Sequence, residues 1–264
     1  MLTRYETIAQ AQPAEAVLLV TLDRPAAANA LNTRMGLDLL DLFTGLVAQP
    51  DRCRAVVLTG AGPKAFCAGG DLKERHGMTD AAWQAQHLIF ERMVRALIEC
   101  PVPVVAAVNG AAYGGGCEIA LACDFIYAVP GARFALTEVT LGIMPGAGGT
   151  QTLPRAVGER RAKELLLTGR PFSAGEAAAW GMVNRLCEPD ALVADAVATA
   201  AAIAANAPIA VAQAKRALHH GLGMSLADGM LFEVEAYNRM VPTEDRREGV
   251  RAFNEKRRPV FVGR

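Results

Sequence analysis

A chain of 264 residues, 52% of them hydrophobic, is long enough for one large domain or one and a half small ones and can bury a sizeable core. Its 27 Lys and Arg balance 27 Asp and Glu, so there is no net field to draw in DNA, RNA or an anionic membrane, and none of these is expected as a partner. Anion binding must come from local groups, either a few cations or helix N-termini.

The first residues, Met1 to Glu6, carry an acid and no apolar run, so no secretory signal is expected there. Residues 16–22, 55–59, 102–108 and 124–128 are β-branched and nearly continuous in hydrophobicity. That pattern predicts strands buried on both faces. Helical stretches lie between them, at 33–48, at 80–99 and from about Gly115. Such alternation predicts an α/β fold with mainly parallel strands. After about Pro154 the chain reads as helices only, over 158–167, 173–179, 190–205, 209–220 and 225–240, with Ser173 and Glu176 in a capping-box pattern. This part is Ala-rich and short of bulky core residues, so it is expected to pack on the α/β part or on another subunit. The uncharged run 196–214 is broken by Asn206 and Pro208 and reads as two helices meeting at a turn, not a membrane span.

Cys53, Cys67, Cys100, Cys117, Cys123 and Cys187 show no C-x-x-C spacing and no cluster with histidine. They read as small core residues of a protein from a reducing, cytoplasmic compartment, with no metal site.

Three glycine-rich turns stand out: 65–71, 109–118 and 142–151. The first two follow strands, and in a parallel sheet such loops gather at one edge, where ligands bind. A helix beginning in the Gly114-Gly115-Gly116 turn would aim free N–H groups outward. One such donor, with another from the Ala68-Gly69 turn, would form an oxyanion hole. Any one of these segments alone reads as a plain tight turn. The fingerprints of a P-loop and of a dinucleotide site are missing.

Glu118 stands near the start of that helix among Cys117, Ile119 and Leu121, and Glu138 lies in the apolar run 134–141. Two carboxyls buried in one site push their pKa values apart, which suits one proton donor and one water-activating base. Either acid alone reads as a helix-terminus charge or a structural ion pair. No serine precedes Ser173, which removes the usual serine hydrolase. His76 and His87 read as packed or solvated side chains that also suit an acyl-pocket wall, and His219-His220 as a helix-end cap.

The set Phe66 to Asp71, Asn109-Gly110 through Gly114-Gly115-Gly116-Cys117-Glu118, and Pro145 to Gln151 resembles the crotonase superfamily, the enoyl-CoA hydratase/isomerase family. The resemblance runs from Leu22-Asp23-Arg24-Pro25 to Phe253-Asn254-Glu255-Lys256. It implies an α/β spiral of ββα units over residues 1–195, with the coenzyme A site and active site, and a helical C-terminal oligomerisation region over 196–264. A homotrimer or homohexamer is expected. The resemblance places the oxyanion hole at the N–H groups of Ala68 and Gly115, the hydratase acids at Glu118 and Glu138, and a water-placing amide at Gly146. Ala26, Ala27 and Ala28, with Ala68, Gly69, Gly70, Asp71 and Leu72, would follow the CoA. Phe253 and Lys256 match a pair that meets CoA, sometimes from a neighbouring subunit. The alanines after Arg24-Pro25 replace a lysine of many relatives, so one phosphate contact is expected to be missing. Thr137 stands where subfamilies differ, and residues 80–99, expected beside the acyl tail, carry no legible signature.

The implied activity is reversible hydration of a 2-enoyl-CoA thioester, with no cofactor beyond the CoA of the substrate. The alternatives are a 3-enoyl to 2-enoyl-CoA isomerase, a hydratase or dehydratase for branched or functionalised acyl groups, and a non-catalytic acyl-CoA- or RNA-binding scaffold.

Overall fold

The apolar runs of the sequence form the centre of one six-stranded sheet. The computed structural model describes residues 3–264. Strand β1 (Ile8–Ala14) pairs antiparallel with β2 (Val17–Leu22) at the sheet edge. Helix α1 (Thr33–Ala48), capped by the Asn32 side chain accepting from the Met35 N–H, leads to β3 (Ala55–Gly60), parallel to β2 and buried at every residue. The chain then turns into a short strand, β4 (Ala65–Cys67), followed by α2 (Leu72–Arg75) and the long α3 (Asp80–Ile98).

The same strand–bend–strand–helix unit recurs. Strand β5 (Val104–Val108) extends the large sheet, β6 (Ala111–Tyr113) lies beside β4, and α4 (Gly115–Ala122) follows. Strand β7 (Phe125–Ala128) pairs with β5, and β8 (Arg133–Ala135) with β6. Helices α5 (Gly149–Val157) and α6 (Glu159–Thr168) precede β9 (Phe172–Ser173), which closes a second sheet of order β4-β6-β8-β9. Helix α7 (Ala174–Ala179), begun by the expected Ser173–Glu176 capping box, leads to β10 (Arg185–Leu186) at the far edge of the order β1-β2-β3-β5-β7-β10. The two sheets are stages of a spiral, and the glycine-rich turns 65–71 and 109–118 lie where the chain passes between them, whereas 142–151 follows β8 and runs into α5.

Two strands therefore lie in the part read as helical throughout. Each is two residues long and so leaves no periodicity. The boundary read at 195/196 falls within α8 (Leu192–Ala204). That helix lays Ala196, Ala200 and Ala204 on the large sheet, a close approach that alanine permits. Helix α9 (Pro208–Gly221) leaves α8 at an angle of 106°, as Asn206 and Pro208 foretold, and no single helix among the described residues is long and apolar enough to cross a membrane. No residue of α9 is buried, and α10 (Leu226–Asn238) and α11 (Glu244–Asn254) follow it. Lys215 ties α9 to Asp124 at 2.7 Å. The last residues return to the body, where Arg54 donates to the Phe261 carbonyl at 2.8 Å and Asp245 accepts the N–H groups of Val262 and Gly263. All six cysteines are buried and unpaired.

Candidate active site

The turn after β4 is held by a segment forty residues upstream. Buried Asn29 donates through its side-chain amide to the carbonyls of Ala61 and Ala65 at 3.0 and 2.8 Å, and its Oδ1 accepts the Arg24 N–H at 3.0 Å. Ala28 and Asn29 take left-handed backbone angles, φ 50° and 54°, and this bend aims the Ala28 carbonyl at the turn. There it accepts the Ala68 N–H at 3.1 Å.

That bond corrects one expectation. An N–H points in one direction, and that of Ala68 points at Ala28, not into an anion site. The neighbouring pattern identifies the donor that is free. Leu31 donates to the Gly69 carbonyl at 2.7 Å and its own carbonyl accepts the Asp71 N–H at 2.9 Å. In such a parallel bridge the residue between the two bonds, Gly70, turns its N–H to the opposite side. Among the described residues the Gly70 N–H has no acceptor.

Helix α4 begins on that side. Gly114, at φ 51°, donates to the Ala135 carbonyl at 2.8 Å and accepts the Glu118 N–H at 3.0 Å. Gly115 is the first helical residue, so no preceding turn offers its N–H a partner. A β-carbon on Gly115 would stand 4.0 Å from the Gly70 nitrogen, which makes the two amides neighbours. Gly116 permits this closeness, since a β-carbon there would lie 2.1 Å from the Cys67 carbonyl oxygen. Two free N–H groups and the positive end of a helix thus face one point.

Glu118, in the first turn of α4, is buried, and its Oε1 accepts the N–H groups of Ala147 and Gly149 at 2.8 Å each. Burial pushes its pKa up, and the two amides oppose that rise. Glu138 opens a short 3-10 turn, Glu138–Leu141, and is also buried. Among the described residues its Oε2 has no partner, and burial, with Glu118 nearby, pushes its pKa up to about 7. Neither acid forms an ion pair among the described residues within 4 Å, so a structural ion pair does not account for them, although Glu118 does stand at a helix terminus.

A cavity of about 850 Å³ joins these groups. Ala68, Gly69, Gly70, Leu72, Gly115, Glu118, Glu138 and Gly146 all line it. Asp71 does not, and instead caps α2 and pairs with Arg24 at 2.9 Å. Ala26, Ala27 and Ala28 stand outside the wall, joined to it through the Ala28–Ala68 bond. Phe253 is exposed at the end of α11 and, like Lys256, is not on this cavity. The opposite wall comes from α2 and α3, with Arg75, Trp83, His87, Phe90 and Val94. His87 lies against Gly146, its Cε1 2.2 Å from where a β-carbon would be, so this histidine is a wall residue. The positions 83, 87, 90 and 94 follow helical spacing, a signal the sequence offered for this face.

The Enoyl-CoA hydratase/isomerase family profile matches residues 12–264. A putative enoyl-CoA hydratase/isomerase of Bacillus subtilis, YngF, is 47% identical over 249 residues, 94% of this chain and 95% of its own. The short-chain-enoyl-CoA hydratase of Clostridium acetobutylicum is 42% identical over 242 residues, 92% of each chain. Among solved structures, an enoyl-CoA hydratase from Bacillus anthracis superposes with a TM-score of 0.95 at 42% identity, covering 98% of this chain and 100% of that one.

Proposed function

From the premise that this chain belongs to the enoyl-CoA hydratase/isomerase family and acts on an acyl-CoA thioester, we propose that it adds water reversibly across the 2,3 double bond of a 2-enoyl-CoA, giving the 3-hydroxyacyl-CoA. One observation carries the reading. Two buried carboxyls without cationic partners share a cavity with two adjacent unpaired amides.

The thioester oxygen accepts from the N–H groups of Gly70 and Gly115. As water adds, this oxygen gains enolate charge, and each preorganised donor is worth roughly 3–4 kcal/mol there by analogy with measured oxyanion holes. The two amides on Glu118 favour its ionised form, and its second oxygen is left to take a proton from water. Glu138 has no such donors on Oε2 and holds its proton near neutral pH, so it protonates the α-carbon. The free Gly146 amide, beside Glu118's donors Ala147 and Gly149, steadies the water. Dehydration uses the same groups in reverse. These proton transfers call on no cofactor beyond the CoA of the substrate.

Exposed Leu218, Leu222, Leu226, Met230, Leu231 and Val234 on α9, α10 and their junction support a homotrimer or homohexamer, with Phe253 and Lys256 reaching the CoA of a neighbouring subunit. Six unpaired thiols support a reducing, cytoplasmic setting.

The test is hydration of but-2-enoyl-CoA in oxygen-18 water by the wild type, Glu118→Gln and Glu138→Gln. We expect product labelled at C3 and a loss of at least about 100-fold in each variant. Near-normal turnover in either variant ends the two-acid reading. Isomerisation of a 3-enoyl-CoA without solvent oxygen would assign the site to an isomerase.

A further inference from the structure

The wall of the acyl cavity carries a cation that the hydration chemistry does not use. Arg75, the last residue of α2, lines the cavity and is half-buried. Its Nε donates to Gln86 Oε1 at 2.8 Å. Gln86 is itself buried, and its amide nitrogen donates to Thr33 Oγ1 at 2.8 Å and Glu74 Oε2 at 2.7 Å. The guanidinium lies over the Trp83 ring, 4.4 Å from its centroid, and 5.6 Å from that of Phe90. It is therefore fixed from behind by a buried amide and from one face by an aromatic ring. Among the described residues its two terminal nitrogens have no hydrogen-bond partner, and no carboxylate lies within 4 Å of it. Nη1 and Cζ lie 3.3 and 3.4 Å from where a β-carbon on Gly70 would stand. The guanidinium thus borders the turn that holds the thioester oxygen in the reading above.

We propose that Arg75 selects 2-enoyl-CoA substrates whose acyl chain bears a carboxylate. The inference rests on the hydratase reading only for which part of the substrate lies beside Gly70. A saturated hydrocarbon chain would leave this guanidinium desolvated and unpaired, at a cost. A carboxylate answers it in kind, because the two free terminal nitrogens present parallel donors to two oxygens. Trp83 and Phe90 keep water away from that pair, which strengthens it. Arg75 also stands close enough to Glu118 and Glu138 to favour their ionised forms, so a general electrostatic role is the competing account.

The experiment compares paired esters that differ only in the chain end. These are 4-carboxybut-2-enoyl-CoA against pent-2-enoyl-CoA, and 5-carboxypent-2-enoyl-CoA against hex-2-enoyl-CoA. We expect the wild type to favour at least one carboxylated ester over its neutral partner by about tenfold or more in kcat/KM, the range of a charged hydrogen-bonded contact. Arg75→Met and Arg75→Gln should each bring that ratio to one or below, mainly through KM, and Arg75→Lys should recover part of it. If the wild type favours neither carboxylated ester, or the variants lose both members of a pair equally, the proposal falls. An equal loss would assign Arg75 to the CoA moiety or to the two glutamates. Calorimetric binding of 4-carboxybutanoyl-CoA against pentanoyl-CoA needs no turnover. Should the wild type hydrate none of the enoyl esters, the hydratase reading fails, and this binding ratio in wild type and Arg75→Met still decides the carboxylate question.

Discussion

Replacing Gly116 with alanine tests whether the closeness of α4 to β4 builds the anion site. The added methyl group would sit 2.1 Å from the Cys67 carbonyl oxygen and 2.8 Å from its carbon. Both are main-chain atoms of a buried strand, so no side chain can swing aside. Ordinary contact begins near 3.4 Å, and α4 must therefore withdraw from β4 by about 1.3 Å. Gly115 and Glu118 move with the helix, whereas Gly70 stays with the β4 turn through the Leu31 bridge. The two amides then part, and Glu118 shifts against the N–H groups of Ala147 and Gly149. A displacement near 1 Å at reacting groups costs about 100-fold in rate. We expect kcat for but-2-enoyl-CoA to fall by about that factor in Gly116→Ala, with overpacking also lowering stability by about 2 kcal/mol. The rate is read from the loss of enoyl-thioester absorbance, and stability from urea unfolding. A folded variant whose kcat stays within threefold of wild type would refute the reasoning.

Three further outcomes follow from the same geometry. Hydration requires Glu138 protonated, and its carboxyl in the free protein is pushed up to about 7, so kcat/KM should fall about tenfold per pH unit above that value, while Glu138→Gln should lose this alkaline limb along with most activity. The same proton is linked to folding. A carboxyl raised from 4.5 to about 7 in the fold contributes stability present in full below pH 4.5 and lost as pH rises through 7, so the urea midpoint should decline over that window, less so in Glu138→Gln. Asn29→Ala removes three hydrogen bonds that hold the bend at Ala28, and should cost about 3 kcal/mol in urea unfolding and loosen the Ala68 turn, seen as faster amide exchange at Ala68. Unchanged protection there would separate the bend from the turn.

The large sheet was legible in the sequence because its inner strands are buried on both faces. The apolar run 55–59 predicts a strand, and β3 spans Ala55–Gly60. Strands β4, β6 and β8 leave no such sign, since each has three residues, too short for any period to show, and β4 and β6 lie within glycine-rich turns. Edge strand β1 is half-exposed and contains Pro13, which reads against a strand. The two acids and Gly115 were legible because an uninterrupted glycine run and an apolar-flanked carboxyl are local signals. Which amide of the first turn is free was not. That depends on the Ala28 carbonyl, brought to Ala68 across forty residues by the Asn29 bend, and nothing near Ala68 records it. The resemblance already sets residues 80–99 beside the acyl tail, and His87 suits that wall, but the other members of the α3 wall leave no local signature. Its residues differ in chemistry and share only their face of the helix.

The six interior thiols leave the exterior blank to maleimide and disulfide reagents. Burial pushes the Cys67 thiol up to about 11 and that of Cys53 to about 12, so neither ionises readily while the fold stays closed. A single cysteine introduced at an exposed site such as Leu167 therefore becomes the one address that a fluorophore or spin label finds on the folded chain. Slow background reaction at the native six then times how often the interior opens.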